Sequence, residues 1–153
     1  MSQIEDQFQL FIDSVQNYFS QVAGDHPEFS PPYILDGDLP LLEFTGIITV
    51  TGNHTGQIHF TAEMGLLSAL LDKLGEKRRD EATLTDVIGE VANTISGNFR
   101  REFGQHFVIS TPRVQWGQGH IIGPRADATT YIVPLRWGGR DAMLAVDFQR
   151  PNR

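Results

Sequence analysis

From Ile4 to Val22 the apolar residues Ile4, Phe8, Phe11, Ile12, Val15, Phe19 and Val22 recur at helical spacing, which predicts an amphipathic helix. Gly24 follows as a C-cap, and Pro27 forbids continuation. From Pro27 to Pro40 the chain is rich in Pro, Gly and Asp, and reads as a surface loop with a short edge strand at Tyr33-Ile34-Leu35. Leu42 to Thr51 is β-branched and apolar, and Gln57 to Ala62 answers it across the turn residues Gly52-Asn53-His54-Thr55-Gly56, as a hairpin does. Glu63 to Leu74 predicts a short helix whose buried face is Leu66, Leu67, Leu70, Leu71 and Leu74, with Thr61 as its cap and Gly75 as its end.

A polar loop then leads into a second long helix, Leu84 to about Phe103, closed by Gly104. The remainder reads as strands, roughly Val108 to Trp116, Thr129 to Trp137 and Ala142 to Gln149, with turns at Gly117-Gln118-Gly119 and Gly138-Gly139-Arg140-Asp141. The expected order is helix, two strands, helix, helix, three strands. Helices segregated from a largely antiparallel sheet make an α+β fold of two layers. Nothing in the composition divides the chain, so residues 1–153 are expected to form one domain.

Composition narrows the function. The acids outnumber Lys and Arg by 19 to 12, giving a net charge of −7. A nucleic-acid binder needs a basic patch to displace counterions, and the longest basic cluster, Lys77-Arg78-Arg79, is hemmed in by Glu76, Asp80 and Glu81. A protein partner is the better expectation. Cysteine is absent, which removes disulfides, thiolate nucleophiles and cysteine metal sites, and suits a reducing compartment. The N-terminus Met1-Ser2-Gln3-Ile4-Glu5-Asp6 has acids where a signal peptide is basic, and no apolar run approaches the roughly 20 residues of a spanning helix. The expectation is a soluble cytoplasmic protein with no membrane association.

One segment carries chemistry. On the second long helix Leu84, Ile88, Val91, Ile95 and Phe99 form an apolar stripe that should lie on the sheet. At ~100° per residue, Asp86, Glu90, Asn93 and Gly97 fall within an arc of roughly 60° nearly opposite that stripe. Two acids, a carboxamide and a glycine share one exposed ridge. The glycine is the odd member, because Gly in a helix interior costs about 0.8–1 kcal/mol relative to Ala. A missing side chain there lets the backbone of another molecule approach, which points to a docking surface. The bland alternative is a solvated helix face, since a Glu and an Asn at this spacing are common on exposed helices.

The pattern Asp86-x3-Glu90-x2-Asn93-x3-Gly97-Asn98 resembles the signature helix of the CheC, CheX and FliY phosphatases. The paired strands around Gly46-Ile47-Ile48-Thr49-Val50-Thr51-Gly52 and Gly56-Gln57-Ile58-His59-Phe60, the Leu-rich helix after them, and Ile109-Ser110-Thr111-Pro112-Arg113-Val114 before Gly117-Gln118-Gly119 resemble the same family in order and spacing. The resemblance covers most of the chain outside Gly24 to Leu39. It implies a CheC-like fold and, in function, hydrolysis of the aspartyl phosphate of a CheY-like response regulator. By motif position it implies that Asn93 orients the attacking water, that Glu90 pairs with the regulator's active-site lysine, and that Asp86 and Gly97 support contact. The protein would need no cofactor of its own, the Mg²⁺ being held by the phosphorylated receiver domain. A CheX-like homodimer, joined through sheet edges or strands, is implied as well.

Some members of the family carry two signature helices. On the first helix Leu10-x3-Ser14-x2-Asn17 repeats the spacing, but Ser14 stands where the acid belongs and Leu10 where Asp does, so a single site is expected. The five histidines, His26, His54, His59, His106 and His120, form no pair at i, i+4 on a helix, which argues against a metal site, and His54 and His59 fall on opposite faces. Ser96 and Ser110 have no neighbouring His and acid in sequence. Trp116 and Trp137 end strands and should plug the sheet or an interface. Two rival readings stand beside the phosphatase: a module that binds a receiver domain without catalysis, and a ligand-sensing domain with an apolar pocket lined by His59 and tryptophans.

Overall fold

The computed structural model describes residues 3–151. Three helices, α1 (Gln3–Ala23), α2 (Met64–Lys73) and α3 (Glu81–Phe103), accompany ten strands: β1 (Glu28–Phe29), β2 (Tyr33–Ile34), β3 (Leu39–Pro40), β4 (Phe44–Gly52), β5 (Gly56–Ala62), β6 (Phe107–Ile109), β7 (Arg113–Trp116), β8 (Ile121–Ile122), β9 (Ala128–Trp137) and β10 (Arg140–Gln149). The main sheet runs β1-β9-β10-β5-β4-β6, with β2 also on β9 and β7 also on β4, and every pairing is antiparallel. The helices cover one face, so the α+β, two-layer expectation holds. On the other face β3 and β8 pair into a small second sheet.

The pleat explains the layering. Strand side chains alternate between faces, so Ile48 and Val50 of β4, Ile58 and Phe60 of β5, and Leu144 and Val146 of β10 all point into the helix layer. Phe11, Val15 and Phe19 of α1 and Ile88, Val91, Ile95 and Phe99 of α3 meet them, all fully buried. At roughly 1.5–3 kcal/mol for each large side chain buried, this shared core dominates the stability of the fold. The close seating of α3 depends on Gly46: a Cβ there would lie 2.7 Å from the Ile88 carbonyl oxygen and 2.8 Å from the Ala92 Cβ. Gly89, buried on the helix, lies beside Pro112 and Val114, where an added Cβ would make ordinary contact at 3.4–3.5 Å.

Several boundaries differ from the sequence reading, each for a local reason. Helix α3 begins at Glu81 rather than Leu84, because Asp80 caps it by accepting from the Thr83 backbone N–H at 2.9 Å. Thr61 does not cap α2; its hydroxyl accepts from the Leu42 N–H at 2.8 Å and bonds Thr45, and Glu63 takes the cap position. Leu74 is the C-cap of α2, beyond its last turn, and is exposed, as is Ile4 at the start of α1. The strand expected from Val108 to Trp116 is two strands, β6 and β7, parted where the Ser110 hydroxyl takes the Thr49 N–H and Pro112 has none to offer. The β9–β10 hairpin turns on Gly138 and Gly139, both at positive φ (60° and 74°), as a two-residue turn of matching twist requires.

Candidate functional site

Helix α3 lies between the sheet and solvent, so its two faces have different work. Its inner stripe is buried, and on the outer side Asp86, Glu90 and Asn93 are exposed while Gly97 is half-buried. The eleven residue steps from Asp86 to Gly97, at about 1.5 Å each, spread this ridge over roughly 16 Å. Glu90 and Asn93 are three residues apart, so their Cβ atoms are neighbours at about 5–6 Å. Among the described residues neither side chain makes a hydrogen bond or ion pair within the chain. Both are presented outward with their polar atoms uncommitted.

Gly97 has no internal reason to be glycine. A Cβ built there meets nothing within 4 Å, and its φ is not positive. The helix therefore bears the cost of about 0.8–1 kcal/mol for a bare patch one turn beyond Asn93. Gly46 is explained by packing; Gly97 is not.

The surroundings hold the ridge still. On its α1 flank Tyr18 is buried, and its hydroxyl pKa is driven up by burial and, secondarily, by the nearby Glu90 carboxylate. Asn98 turns inward and donates to the Ser14 carbonyl at 3.0 Å, tying α3 to α1. Near the start of α3 the exposed Arg78 is within electrostatic reach of Asp86. Arg79 braces the preceding loop by donating to the Ser68 hydroxyl at 2.9 Å and pairing with Asp72.

The ridge is convex. The larger surface cavities lie elsewhere, one of about 680 Å³ near the first turns of α1 and one of the same size between α1 and α3. Neither is lined by Glu90 or Asn93, so this site fits into something rather than receiving a small molecule. Asn17 is exposed and lines the groove between α1 and α3, whereas Ser14 is buried with its hydroxyl on the Leu10 carbonyl at 2.9 Å. On α1 a buried Ser14, not an acid, stands three residues before Asn17, so the Glu90–Asn93 pair is not repeated there.

The other sequence candidates resolve into structure. The Ser110 hydroxyl is spent on backbone, accepting from Thr49 and donating to the Thr111 carbonyl. Among the described residues no three His, Asp or Glu side chains are grouped to hold a metal ion. His54 packs against Phe103, Phe107 and Phe148, while His59 is buried on the opposite face of the sheet. Trp137 is buried against Phe19, and Trp116 is half exposed at the sheet edge over Phe44. Two features escaped the sequence reading. Tyr18 could have been flagged as the lone polar aromatic on the stripe side of α1. The inward turn of Asn98 follows from its position on the wheel, about 20° from the buried Val87 and Val91.

Comparison with known proteins bears on the family and the fold. A family model described as chemotaxis phosphatase CheX matches residues 44–136, a span that includes all of α3. A CheC-like superfamily protein from Shewanella sp. PV-4 superposes with a TM-score of 0.83 at 27% identity, covering 98% of this chain and 100% of its own. CheX from Desulfovibrio desulfuricans gives 0.79 at 26%, covering 92% and 97%. A CheX from Borrelia burgdorferi, solved in complex with CheY, BeF3 and Mg²⁺, gives 0.74 at 19%, covering 94% and 97%, a likeness of fold. No curated protein matches the chain. No helix among the described residues is long and apolar enough to cross a membrane.

Proposed function

The chain belongs to the CheX family of chemotaxis phosphatases, and from that premise we propose that it accelerates hydrolysis of the aspartyl phosphate on a CheY-like response regulator, with Asn93 orienting the attacking water and Glu90 pairing with the regulator's active-site lysine. The observation that carries this proposal is the outward, uncommitted pair Glu90 and Asn93 on a convex ridge, followed by a glycine without a packing role.

The chemistry asks little of the protein beyond placement. Water attacks phosphorus in line, the bond from phosphorus to the aspartyl oxygen breaks, the carboxylate leaves and inorganic phosphate is released. Phosphoryl transfer is catalysed mainly by positioning and electrostatics. A carboxamide offers an acceptor for one water proton and a donor for a phosphoryl oxygen, and does not titrate near neutrality. Glu90, one turn away, gives the regulator's lysine a partner and fixes the depth and rotation of the ridge in the receiver's pocket. Asp86 and Gly97 serve contact at the two ends. The Mg²⁺ belongs to the receiver, and this chain supplies neither metal nor nucleophile. The complex of the Borrelia burgdorferi CheX with CheY is consistent with such a partner.

The test is phosphate release from a phosphorylated CheY-like receiver with stoichiometric protein. Asn93→Ala is expected to lose the acceleration by about 10²-fold or more while still binding the receiver, as removal of one water-positioning group does. Glu90→Ala is expected to weaken both binding and rate. Wild-type rates from Asn93→Ala would overturn the role of Asn93. Binding by the wild type with no change in phosphate half-life would leave a receiver-binding module in place of an enzyme. The same proposal includes a homodimer through a sheet edge, where Trp116 of β7 and Val108 of β6 stand exposed; light scattering of the purified chain decides it.

A further inference from the structure

The ridge on α3 advances in alternating steps of four and three residues: Asp86, Glu90, Asn93, Gly97. A further step of three reaches Arg100, which is exposed and stands about 40° from the direction opposite the buried stripe. Arg101, the next residue, turns the other way, toward α1, and lines the groove there with Asp13, Asn17 and Glu102. Among the described residues neither guanidinium makes a hydrogen bond or an ion pair. Across the sheet, the row Gln57, Thr130 and Asp147 lines a small polar cavity beside His59, with the Arg125–Asp147 ion pair at its edge. No tryptophan among the described residues lines it, so the ligand-sensing alternative finds no apolar pocket there.

Both arginines suit the negative end of a helix, so their place in the last turn explains either equally. Two features set Arg100 apart. A helical side chain leans toward the N-terminus and covers the turn before its own Cα, and for Arg100 that turn holds Gly97. A Cβ on Gly97 would meet nothing within 4 Å, so in the free chain Arg100 leaves the bare patch open and stands at its edge. Its charge setting differs as well. Arg101 shares its groove with the carboxylates of Asp13 and Glu102, whereas the nearest acid along the ridge from Arg100 is Glu90, ten residues or about 15 Å back.

Building on the phosphatase reading, on which this step rests, we propose that Arg100 binds an acidic side chain of the receiver at the rim of its phosphorylation pocket and so sets which way round the receiver sits on the ridge. A receiver that holds Mg²⁺ does so through carboxylates, so its pocket has an acidic side as well as the lysine assigned to Glu90. Turned toward Asp86, that side would face a like charge, which Arg78, already paired with Glu76, tempers without reversing. Turned toward Arg100, it meets an opposite charge. The ridge therefore carries an acid at one end and a cation at the other, roughly 21 Å apart, and one orientation of the receiver satisfies both Glu90 and Arg100. A guanidinium suits the task, since its planar fork matches a carboxylate and stays charged at every working pH. Gly97, between Asn93 and Arg100, then leaves room for the receiver segment that joins the two contacts.

Calorimetry with a CheY-like receiver held active by beryllofluoride and Mg²⁺ tests this, comparing wild type, Arg100→Gln and Arg101→Gln at about 0.05 M and 0.5 M NaCl. Both variants remove one positive charge from the same helical turn, so they differ only in the side of the helix they strip. Arg100→Gln is expected to weaken Kd about five- to tenfold at the lower salt and less than about twofold at the higher. Arg101→Gln should stay within about twofold of wild type at both. In phosphate release the loss from Arg100→Gln should fall on KM rather than kcat. Equal losses from the two variants would reduce Arg100 to a helix-terminal charge and overturn its assignment. So would an unchanged Kd for Arg100→Gln, or a loss that high salt does not diminish. Each of these leaves the phosphatase reading standing while the wild type still hydrolyses the receiver's phosphate; a wild type that neither binds nor dephosphorylates the receiver removes both.

Discussion

The side-chain amide of Asn98 on α3 donates to the backbone carbonyl of Ser14 on α1, 3.0 Å away and shielded from solvent. The bond sits one residue past Gly97, on the inner flank of the ridge that is proposed to enter a receiver. It joins the two helices without using an atom that either needs for its own turn, because a carbonyl oxygen has a second lone pair. Asn98 therefore braces the ridge, while Asn93, five positions earlier and facing out, is left for a partner.

The two asparagines should separate cleanly on substitution. Asn98→Ala removes a buried hydrogen bond and leaves a small void, for an expected loss of about 1–3 kcal/mol of stability. Asn93→Ala, on the exposed face, should change stability by no more than about 0.5 kcal/mol. Urea denaturation of both variants beside wild type measures this. Equal losses would mean that Asn93 is also a structural residue.

Gly97→Ala should move stability and function in opposite directions. The new methyl meets nothing within 4 Å and replaces the poorest helix former short of proline, so the fold should gain up to about 1 kcal/mol. If the bare patch admits a receiver's backbone, the same methyl obstructs docking, and receiver affinity should fall. Thermal melts and phosphate release from a phosphorylated receiver check both halves. A stabilised variant with undiminished affinity would show that the gap serves no partner.

Gly46→Ala is expected to be the costly counterpart. Its Cβ would collide with the Ile88 carbonyl and the Ala92 methyl, neither of which is the flexible end of a long side chain. Helix α3 would have to lift from β4, at roughly 1–3 kcal/mol or more, as overpacking costs elsewhere. A lowered urea midpoint is the expected result. Because α3 carries Glu90 and Asn93, a variant that still folds should also show slower phosphate release.

What the sequence made legible followed from long periodic elements. The five-residue stripe on α3 fixed which way Asp86, Glu90 and Asn93 face, because a helix of this length against a sheet has only one rotation that buries Ile88, Val91, Ile95 and Phe99 together. Boundaries were less legible where a side chain could serve two purposes. Thr61 reads as a cap, yet as a strand residue it is better spent on Leu42 and Thr45. The Asp80–Thr83 cap was present in the sequence but lay inside a charged stretch that reads as loop. Two-residue strands such as β3 and β8 have no period to detect, so nothing announced the small second sheet. The polar row of Gln57, Thr130 and Asp147 needed the register of β5, β9 and β10, which is a long-range property.

The buried imidazole of His59 should tie stability to pH. Its pKa falls from 6.5 to about 4 on folding, through burial first and the Arg113 charge second, so the folded chain resists taking up a proton that the unfolded chain accepts. Between pH 6.5 and about 4 the unfolded state therefore binds more protons, and stability rises with pH across that window. The contribution is complete above about pH 6.5 and is lost as pH falls toward 4, by at most about 1.4 kcal/mol for each unit. His54, lowered by burial as well, acts with the same sign. Asp147 acts against them: burial raises its pKa above 3.8, Arg125 opposing, so its part is present in acid and fades as pH rises through the folded value. Urea midpoints of wild type and His59→Gln from pH 7 to 4.5 separate these terms. The wild type should lose stability more steeply than the variant as pH falls, and parallel profiles would show that His59 is not held neutral by the fold.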